Sequence, residues 1–183
     1  MKRLITGFEP FLTHQENPTM AITAALKSEL VDTQILPVEY ETAADLLITH
    51  LKTHDYDAIL LLGLAGNRTK ISIEHHALNL MDALGPDNRG VIKRFEPITS
   101  SGPDTYLTKL PFKSIIKDAE KLNYPVELSL SAGAYICNDV FYRLRHAYPD
   151  QMIGFIHVPP TDVIPIDEQI QLITWISDQL NHS

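Results

Sequence analysis

The feature that most constrains the fold is a continuous apolar run from Ala58 to Gly66, bounded by Asp57 and Asn67. A membrane span needs about 20 apolar residues, so this run is too short to cross a bilayer. Its length and composition are typical of a strand that is covered on both faces, as in parallel sheets flanked by helices. The run therefore predicts a buried central strand in an α/β domain.

Strand-like runs and segments with helical periodicity alternate along the rest of the chain, which is the signature of an α/β fold. The predicted strands are Arg3–Thr6, Thr33–Val38, Asp57–Gly63, Ile71–Leu80, Val126–Ser131 and Met152–Val158. The predicted helices are Met20–Leu30, Glu41–His54, Phe112–Leu122, Asn138–Ala147 and Asp167–Leu180. The chain has 183 residues, and a prior of about 150 residues per domain favours one domain spanning 1–183.

An irregular segment from Gly85 to Pro111 interrupts this alternation and is rich in glycine and proline. A loop of roughly 25 residues inside a compact domain is usually functional or mobile. We therefore expect this segment to border the site.

The charge balance limits the classes of partner. Fifteen Lys and Arg residues against 23 Asp and Glu residues give a net charge of −8. A chain that binds nucleic acid needs a basic surface to neutralise phosphates, and anionic membranes attract the same kind of surface. We therefore expect neither nucleic acid nor a membrane as a partner, whereas a homo-oligomer is compatible with the sequence.

Cysteine usage points to a reducing compartment. Cys137 is the single cysteine, which excludes an internal disulfide framework. Lys2 and Arg3 resemble the start of a signal peptide, but Glu9 and Pro10 follow too soon for its apolar core. These features predict a cytoplasmic protein.

Cys137 is also a candidate nucleophile. It follows the small residues of Ser131–Ala134, which suit a tight passage from a strand into a helix. Exposed backbone N–H groups at a helix start favour the thiolate and can donate to an oxyanion. The alternative is a buried cysteine that acts as a small hydrophobic residue, and the local sequence leaves both hypotheses open.

Two further residues carry chemistry that could serve Cys137. His157 lies near the end of an apolar strand, where sites form in open α/β sheets. Glu74 lies in a strand-like segment, where a carboxylate must face solvent or a partner such as an imidazole. Taken alone, each has a structural explanation: a histidine at the edge of the core and an exposed glutamate.

Two other patterns favour different chemistry and are weaker. His50 and His54 have the four-residue spacing of helical metal ligands, but no matching Glu or Cys set is near them in the sequence. Gly63–Arg68 is a glycine-containing turn after a strand, but it lacks the Walker A and dinucleotide fingerprints. A transferase or phosphorylase would need phosphate-binding basic residues, of which Arg68 is the obvious candidate.

Five motifs in order along the chain resemble the pyroglutamyl peptidase type I family of cysteine peptidases. They are Thr6–Phe11 followed by Asn17 and Pro18, Gly63–Arg68 with Ile71–Glu74, Pro86–Gly90, Ser131–Asn138 and Gly154–Pro159. The resemblance implies a single-domain three-layer α/β/α sandwich with a mixed, mostly parallel sheet. It also implies removal of N-terminal 5-oxoproline (pyroglutamate) from peptides through a thioester, without a metal or another cofactor.

The resemblance assigns roles to named residues. It implies a catalytic triad in which Cys137 is the nucleophile, His157 the general base and then acid, and Glu74 the group that orients the imidazole. The neutral lactam ring suits an apolar pocket. Its candidate walls are Phe8, Phe11, Tyr135 and Ile136, of which the two phenylalanines match aromatic positions of the family.

The chain also departs from the family pattern. The departures are Leu12 and Thr13 in place of glycines, His75 and His76 in place of a basic and an aliphatic residue, and Leu84 and Gly85 in place of Arg-Ile. The missing arginine removes a cation that is expected near the site. These changes motivate an alternative in which the chain binds pyroglutamyl or related peptide ends without turning them over.

Overall fold

A six-stranded sheet in the order β2-β1-β3-β8-β4-β7 forms the centre of the computed structural model, which describes residues 1–11 and 16–182. A second sheet contains β5 and β6. The strands are β1 (Arg3–Phe8), β2 (Val31–Leu36), β3 (Ala58–Leu64), β4 (Ile71–Glu74), β5 (His76–Leu78), β6 (Thr105–Leu107), β7 (Val126–Ser129) and β8 (Met152–Val158). The helices are α1 (Pro18–Leu26), α2 (Thr42–Leu51), α3 (Phe112–Leu122), α4 (Ile136–Ala147) and α5 (Ile166–Gln179), and a short 3₁₀ turn follows α5.

The sheet is mixed but mostly parallel, as expected. Strands β2, β1, β3 and β8 are parallel, β4 runs antiparallel to β8, and β7 is parallel to β4. All seven residues of β3 are buried, because helices cover both faces of the sheet at this central position. The apolar run beginning at Ala58 is therefore the interior strand that the sequence predicts.

Two apolar clusters on opposite faces of the sheet make the three-layer arrangement. Successive residues of a strand point to opposite faces, so Ile59 and Leu61 of β3 join one cluster while Leu60 and Leu62 join the other. Helices α2 and α4 supply the first cluster, and α1, α3 and α5 supply the second. This α/β/α sandwich confirms the predicted fold class.

Most predicted elements match, and the largest difference lies in the segment Ile71–Leu80. The structure divides it into β4 and β5, because the chain leaves the main sheet after Glu74 and β5 pairs with β6 instead. Strand β6 lies inside the segment that is expected to be irregular. Helix α1 also ends earlier than predicted, because Ser28 and Val31 already form an antiparallel bridge. Within the described residues, no helix has the length and apolarity needed to cross a membrane.

Candidate active site

His157 and Glu74 meet across the antiparallel pairing of β8 with β4. In that register Ser72 is opposite His157 and Glu74 is opposite Phe155, so the two functional side chains are diagonal neighbours on one face. His157 Nδ1 lies 2.7 Å from Glu74 Oε1, and both side chains are buried. A carboxylate can only accept, so Nδ1 carries the hydrogen and Nε2 remains available as a base.

Cys137 approaches the same face from the first turn of α4, which begins one residue earlier at Ile136. The turn before it includes Gly133, whose φ of 81° lies in a region that side chains rarely enter. Tyr135 at the N-cap makes no side-chain capping bond. The helix start predicted next to the cysteine is therefore confirmed, and its first backbone N–H groups are not capped by that side chain.

A cavity of about 130 Å³ brings the predicted residues together. Its walls are mainly apolar, and the described lining residues are Phe8, Phe11, Asn17, Val38, Leu64, Ala132, Tyr135, Ile136, Cys137 and His157. All four candidate wall residues thus line one cavity with the thiol and the imidazole. Glu74 stands behind His157 and is fully buried. The Tyr135 hydroxyl donates to Pro86 O at 2.7 Å, which ties this wall to the irregular segment.

The electrostatics of Cys137 differ from the sequence-based expectation. Burial raises the pKa of the thiol to about 12, the Glu74 carboxylate raises this pKa too, and the backbone N–H of Cys137 opposes both effects. The prediction of a thiolate that is stabilised at neutral pH is therefore wrong, because desolvation outweighs the helix start. A raised pKa means that the sulfur holds its proton more tightly, so formation of a nucleophilic thiolate requires transfer of that proton to the neighbouring imidazole.

The glycine at position 63 is a site residue whose role the sequence does not reveal. Gly63 is paired with His157 in the β3–β8 register. A methyl group built on it would lie 2.8 Å from Cys137 Sγ and 2.7 Å from Phe155 Cζ. The absence of a side chain here therefore makes the room that the sulfur occupies. The signal available in the sequence is a glycine interrupting a run of leucines.

We expect Gly63→Ala to lower kcat by roughly 10- to 100-fold, because a displaced sulfur loses its alignment with His157. Overpacking should also cost about 1–3 kcal/mol of stability. Gly154→Ala is the matched control: its methyl group would press on Leu110 on the opposite face of the sheet. Kinetics and thermal unfolding of both variants make the measurement. If kcat falls by the same factor per kcal/mol of lost stability in both variants, the proposed role of Gly63 is contradicted.

The remaining departures and alternatives lie away from the cavity or have structural partners. His75 packs edge-on against Phe112, with ring centroids 4.8 Å apart, and His76 Nδ1 contacts Leu130 O at 2.9 Å. Leu84 is 83% exposed, and Gly85 adjoins it. Neither the two histidines nor Leu84 and Gly85 are among the described residues that line the cavity. Leu12 and Thr13 lie outside the described residues.

His50 lies on α2 and His54 follows its end, and within the described residues the pair makes no metal site. His50 and His54 stack with ring centroids 4.1 Å apart, His50 Nε2 lies 2.9 Å from the Tyr56 hydroxyl, and His54 Nδ1 lies 3.1 Å from His50 O. Among the residues that the structure describes, no group of three or more His, Cys, Asp or Glu side chains is placed to hold a metal ion.

A thiol, an imidazole and a buried carboxylate on one face of an α/β/α sandwich have the composition of a cysteine hydrolase site. Comparison with known proteins gives the family. The profile of the pyroglutamyl peptidase family matches residues 1–173. The pyrrolidone-carboxylate peptidase of Oceanobacillus iheyensis is 37% identical over 179 residues, covering 92% of this chain and 89% of the relative. That of Pyrococcus furiosus is 41% identical over 169 residues, covering 87% and 81%.

Solved structures agree with these sequence matches. The crystal structure of pyroglutamyl peptidase I from Bacillus amyloliquefaciens has a TM-score of 0.93 at 29% identity, covering 100% of this chain and 97% of that one. A mutant pyrrolidone carboxyl peptidase from P. furiosus has a TM-score of 0.91 at 32% identity, covering 100% and 99%. The chain belongs to the pyroglutamyl peptidase family. It is accordingly a cysteine peptidase and a hydrolase, and the hypothesis of a binding module without turnover is not favoured.

Proposed function

We propose that the chain is one catalytic domain, residues 1–183, that removes an N-terminal pyroglutamyl residue from peptides. The observation that carries this proposal is that Cys137 and His157 line one apolar cavity while Glu74 holds His157 from behind. A family of peptidases supplies the reaction class. The geometry supports Cys137 as nucleophile, His157 as general base and Glu74 as the group that orients it.

In the first half-reaction, His157 Nε2 takes the proton of Cys137 Sγ as the sulfur attacks the carbonyl carbon of the pyroglutamyl residue. The resulting imidazolium is stabilised by Glu74, whose Oε1 already accepts from Nδ1. In this proposal, backbone N–H groups in the first turn of α4, including that of Cys137, donate to the oxyanion. His157 then gives its proton to the leaving amine, and the C–N bond breaks to leave a thioester.

In the second half-reaction, His157 takes a proton from water as the water oxygen attacks the thioester. Collapse of this intermediate breaks the C–S bond, releases free pyroglutamate and returns the proton to Cys137 Sγ. No step in this sequence requires a metal or another cofactor. The unpaired thiol that the mechanism uses also favours a reducing compartment, so we propose a cytoplasmic location.

The cavity suits a compact neutral ring better than a charged one. Phe8, Phe11 and Tyr135 supply aromatic surface, and the Phe11 and Tyr135 rings lie 6.2 Å apart. No Asp or Glu is among the described residues of the cavity wall. An ammonium group would therefore lose its hydration there without gaining a direct carboxylate partner. A lactam carries no charge and does not incur that cost.

We expect pyroglutamyl amides to be hydrolysed with a kcat/KM about 10⁴-fold above that of the matching prolyl amides. Proline differs by the missing ring carbonyl and by a charged ring nitrogen, so it loses hydrogen bonds and must be desolvated. The measurement is steady-state turnover of the two amides with the same leaving group. Comparable values would mean that the cavity is a hydrophobic slot without lactam specificity.

A further inference from the structure

Arg68 lies beside the carboxylate of Glu74 and is not used by the mechanism above. It follows β3 in the turn that links it to β4. Its Nη2 lies 3.5 Å from Glu74 Oε1 and donates to Ser129 Oγ at 2.7 Å. We propose that Arg68 is a positioning residue of the peptidase site, whose guanidinium compensates the charge of the buried Glu74 carboxylate beside His157. This inference rests on the proposed function and extends it to a residue outside the cavity.

The carboxylate needs such a partner because it is fully buried. Glu74 has no exposed surface, and within the described part of the chain its Oε2 has no hydrogen-bond partner. An isolated carboxylate in that position would take up a proton rather than remain charged. His157 Nδ1 contacts Oε1 at 2.7 Å, and Oε2 is left without a described partner. Arg68 is then the cation that offsets the charge of Glu74.

The contact distances suggest how Arg68 does this without disturbing the imidazole. At 3.5 Å the guanidinium is at the limit of hydrogen bonding to Oε1, whereas His157 Nδ1 is at 2.7 Å from the same oxygen. The short bond from Arg68 goes to Ser129 at the end of β7. Ser129 therefore holds the guanidinium at a distance at which its charge acts on Glu74. The short hydrogen bond to Glu74 Oε1 is left to His157 Nδ1.

Other charged or titratable groups also surround the Glu74 carboxylate. His157 faces it from β8, and the Cys137 thiol interacts with its charge from α4. Glu127 of β7 lies 4.0 Å from Arg68 Nη1 and also accepts from Ser72 Oγ at 2.9 Å. Glu127 therefore also attracts the Arg68 guanidinium, from the side that is more exposed to solvent. His75, the next residue of the chain, faces Phe112 of α3. Among the residues that the structure describes, Arg68 is thus the permanent cation in contact with Glu74.

The test is the pH profile of kcat/KM for a pyroglutamyl amide in wild type and in Arg68→Met. Without the cation, Glu74 protonates more readily, and any remaining carboxylate attracts the imidazole proton more strongly. Both effects move the acidic limb of the profile to higher pH. We therefore expect kcat/KM to fall by about 10-fold at pH values on the acidic limb and by much less on the alkaline side. Arg68→Lys should recover most of the wild-type profile because it restores the charge.

Two further variants keep the test decisive. Lys121→Met removes one positive charge from α3, where Lys121 pairs with Asp118, and should leave the profile unchanged. Ser129→Ala keeps the arginine but removes its 2.7 Å partner, and should move the acidic limb in the same direction by a smaller amount. If Arg68→Met does not fold, Ser129→Ala carries the test.

An acidic limb that stays in place in Arg68→Met would overturn the proposal, as would an equal loss of rate at every pH in that variant; where Arg68→Met does not fold, the same two outcomes in Ser129→Ala overturn it. These outcomes are distinct from failure of the proposed function, which would appear as absence of Cys137-dependent turnover in the wild-type protein.

Discussion

Cys137→Ala should lower kcat/KM for a pyroglutamyl amide by about 10⁴- to 10⁶-fold, the range seen when a nucleophile is removed from a catalytic triad. The loss is this large because no other thiol exists in the chain to replace it. His157 and the helix start can still polarise a bound substrate, but without the sulfur no covalent intermediate forms. Steady-state assays at high enzyme concentration measure the residual rate.

The fold of this variant should be intact. Cys137 is half-buried at the cavity wall, and removing one sulfur enlarges that cavity while losing only the packing of the sulfur against the sheet. We expect a change of about 1–2 kcal/mol at most in the free energy of unfolding, measured by denaturant titration. A well-folded variant that keeps most of its activity would show that Cys137 is not the nucleophile.

His157→Ala should reduce kcat by a similar amount, about 10⁴-fold or more, because the thiol then has no base. Burial already raises the pKa of this thiol, so without the imidazole little of it ionises near neutral pH. The same change should slow alkylation of Cys137 by iodoacetamide near neutral pH and move the rise in alkylation rate to higher pH. The measurement is the alkylation rate against pH in both proteins.

Cys137→Ala is the control for this experiment, since any labelling that it retains does not come from the thiol. Superimposable alkylation profiles of wild type and His157→Ala would contradict the role of His157 as the base. A profile that shifts while kcat stays at the wild-type value would contradict it as well, because the imidazole would then act on the thiol without acting in turnover.

The fold was largely predictable because its strongest signals are local. The predicted bounds of Met152–Val158 and Phe112–Leu122 match β8 and α3 to the residue. Both segments have well-defined ends: Pro159 follows the strand, and Pro111 precedes the helix. The division of Ile71–Leu80 was not predictable in the same way. It depends on β6, a three-residue partner about 30 positions further along the chain.

The candidate site could be predicted as a set of residues but not as a geometry. Apolar context and motif order single out Cys137, His157 and Glu74. Their meeting depends on β4 running antiparallel to β8, which no local pattern encodes. For the same reason the sequence suggests a stabilised thiolate, since a helix start is visible in it and the desolvation of the sulfur is not.

Gly63 and Arg68 show the same limit more sharply. Both belong to the segment Gly63–Arg68, which the sequence alone also allows to be interpreted as a phosphate-binding loop. In the structure Gly63 makes room for Cys137 Sγ. Arg68 contacts Glu74 and Ser129. Their partners are distant in sequence and are brought together by the order of strands in the sheet. Arg68 also places a cation at the site although the arginine expected at position 84 is absent.

Acid quenching of the enzyme during its first turnover of an activated substrate tests covalent catalysis by Cys137 most directly. An activated pyroglutamyl ester should acylate the sulfur faster than water removes the acyl group, so the thioester accumulates. We expect a burst of leaving group equal to the enzyme concentration and, by peptide mass spectrometry, one pyroglutamyl group on Cys137. A burst that leaves Cys137 unmodified, or an acyl group on another residue, would contradict the mechanism.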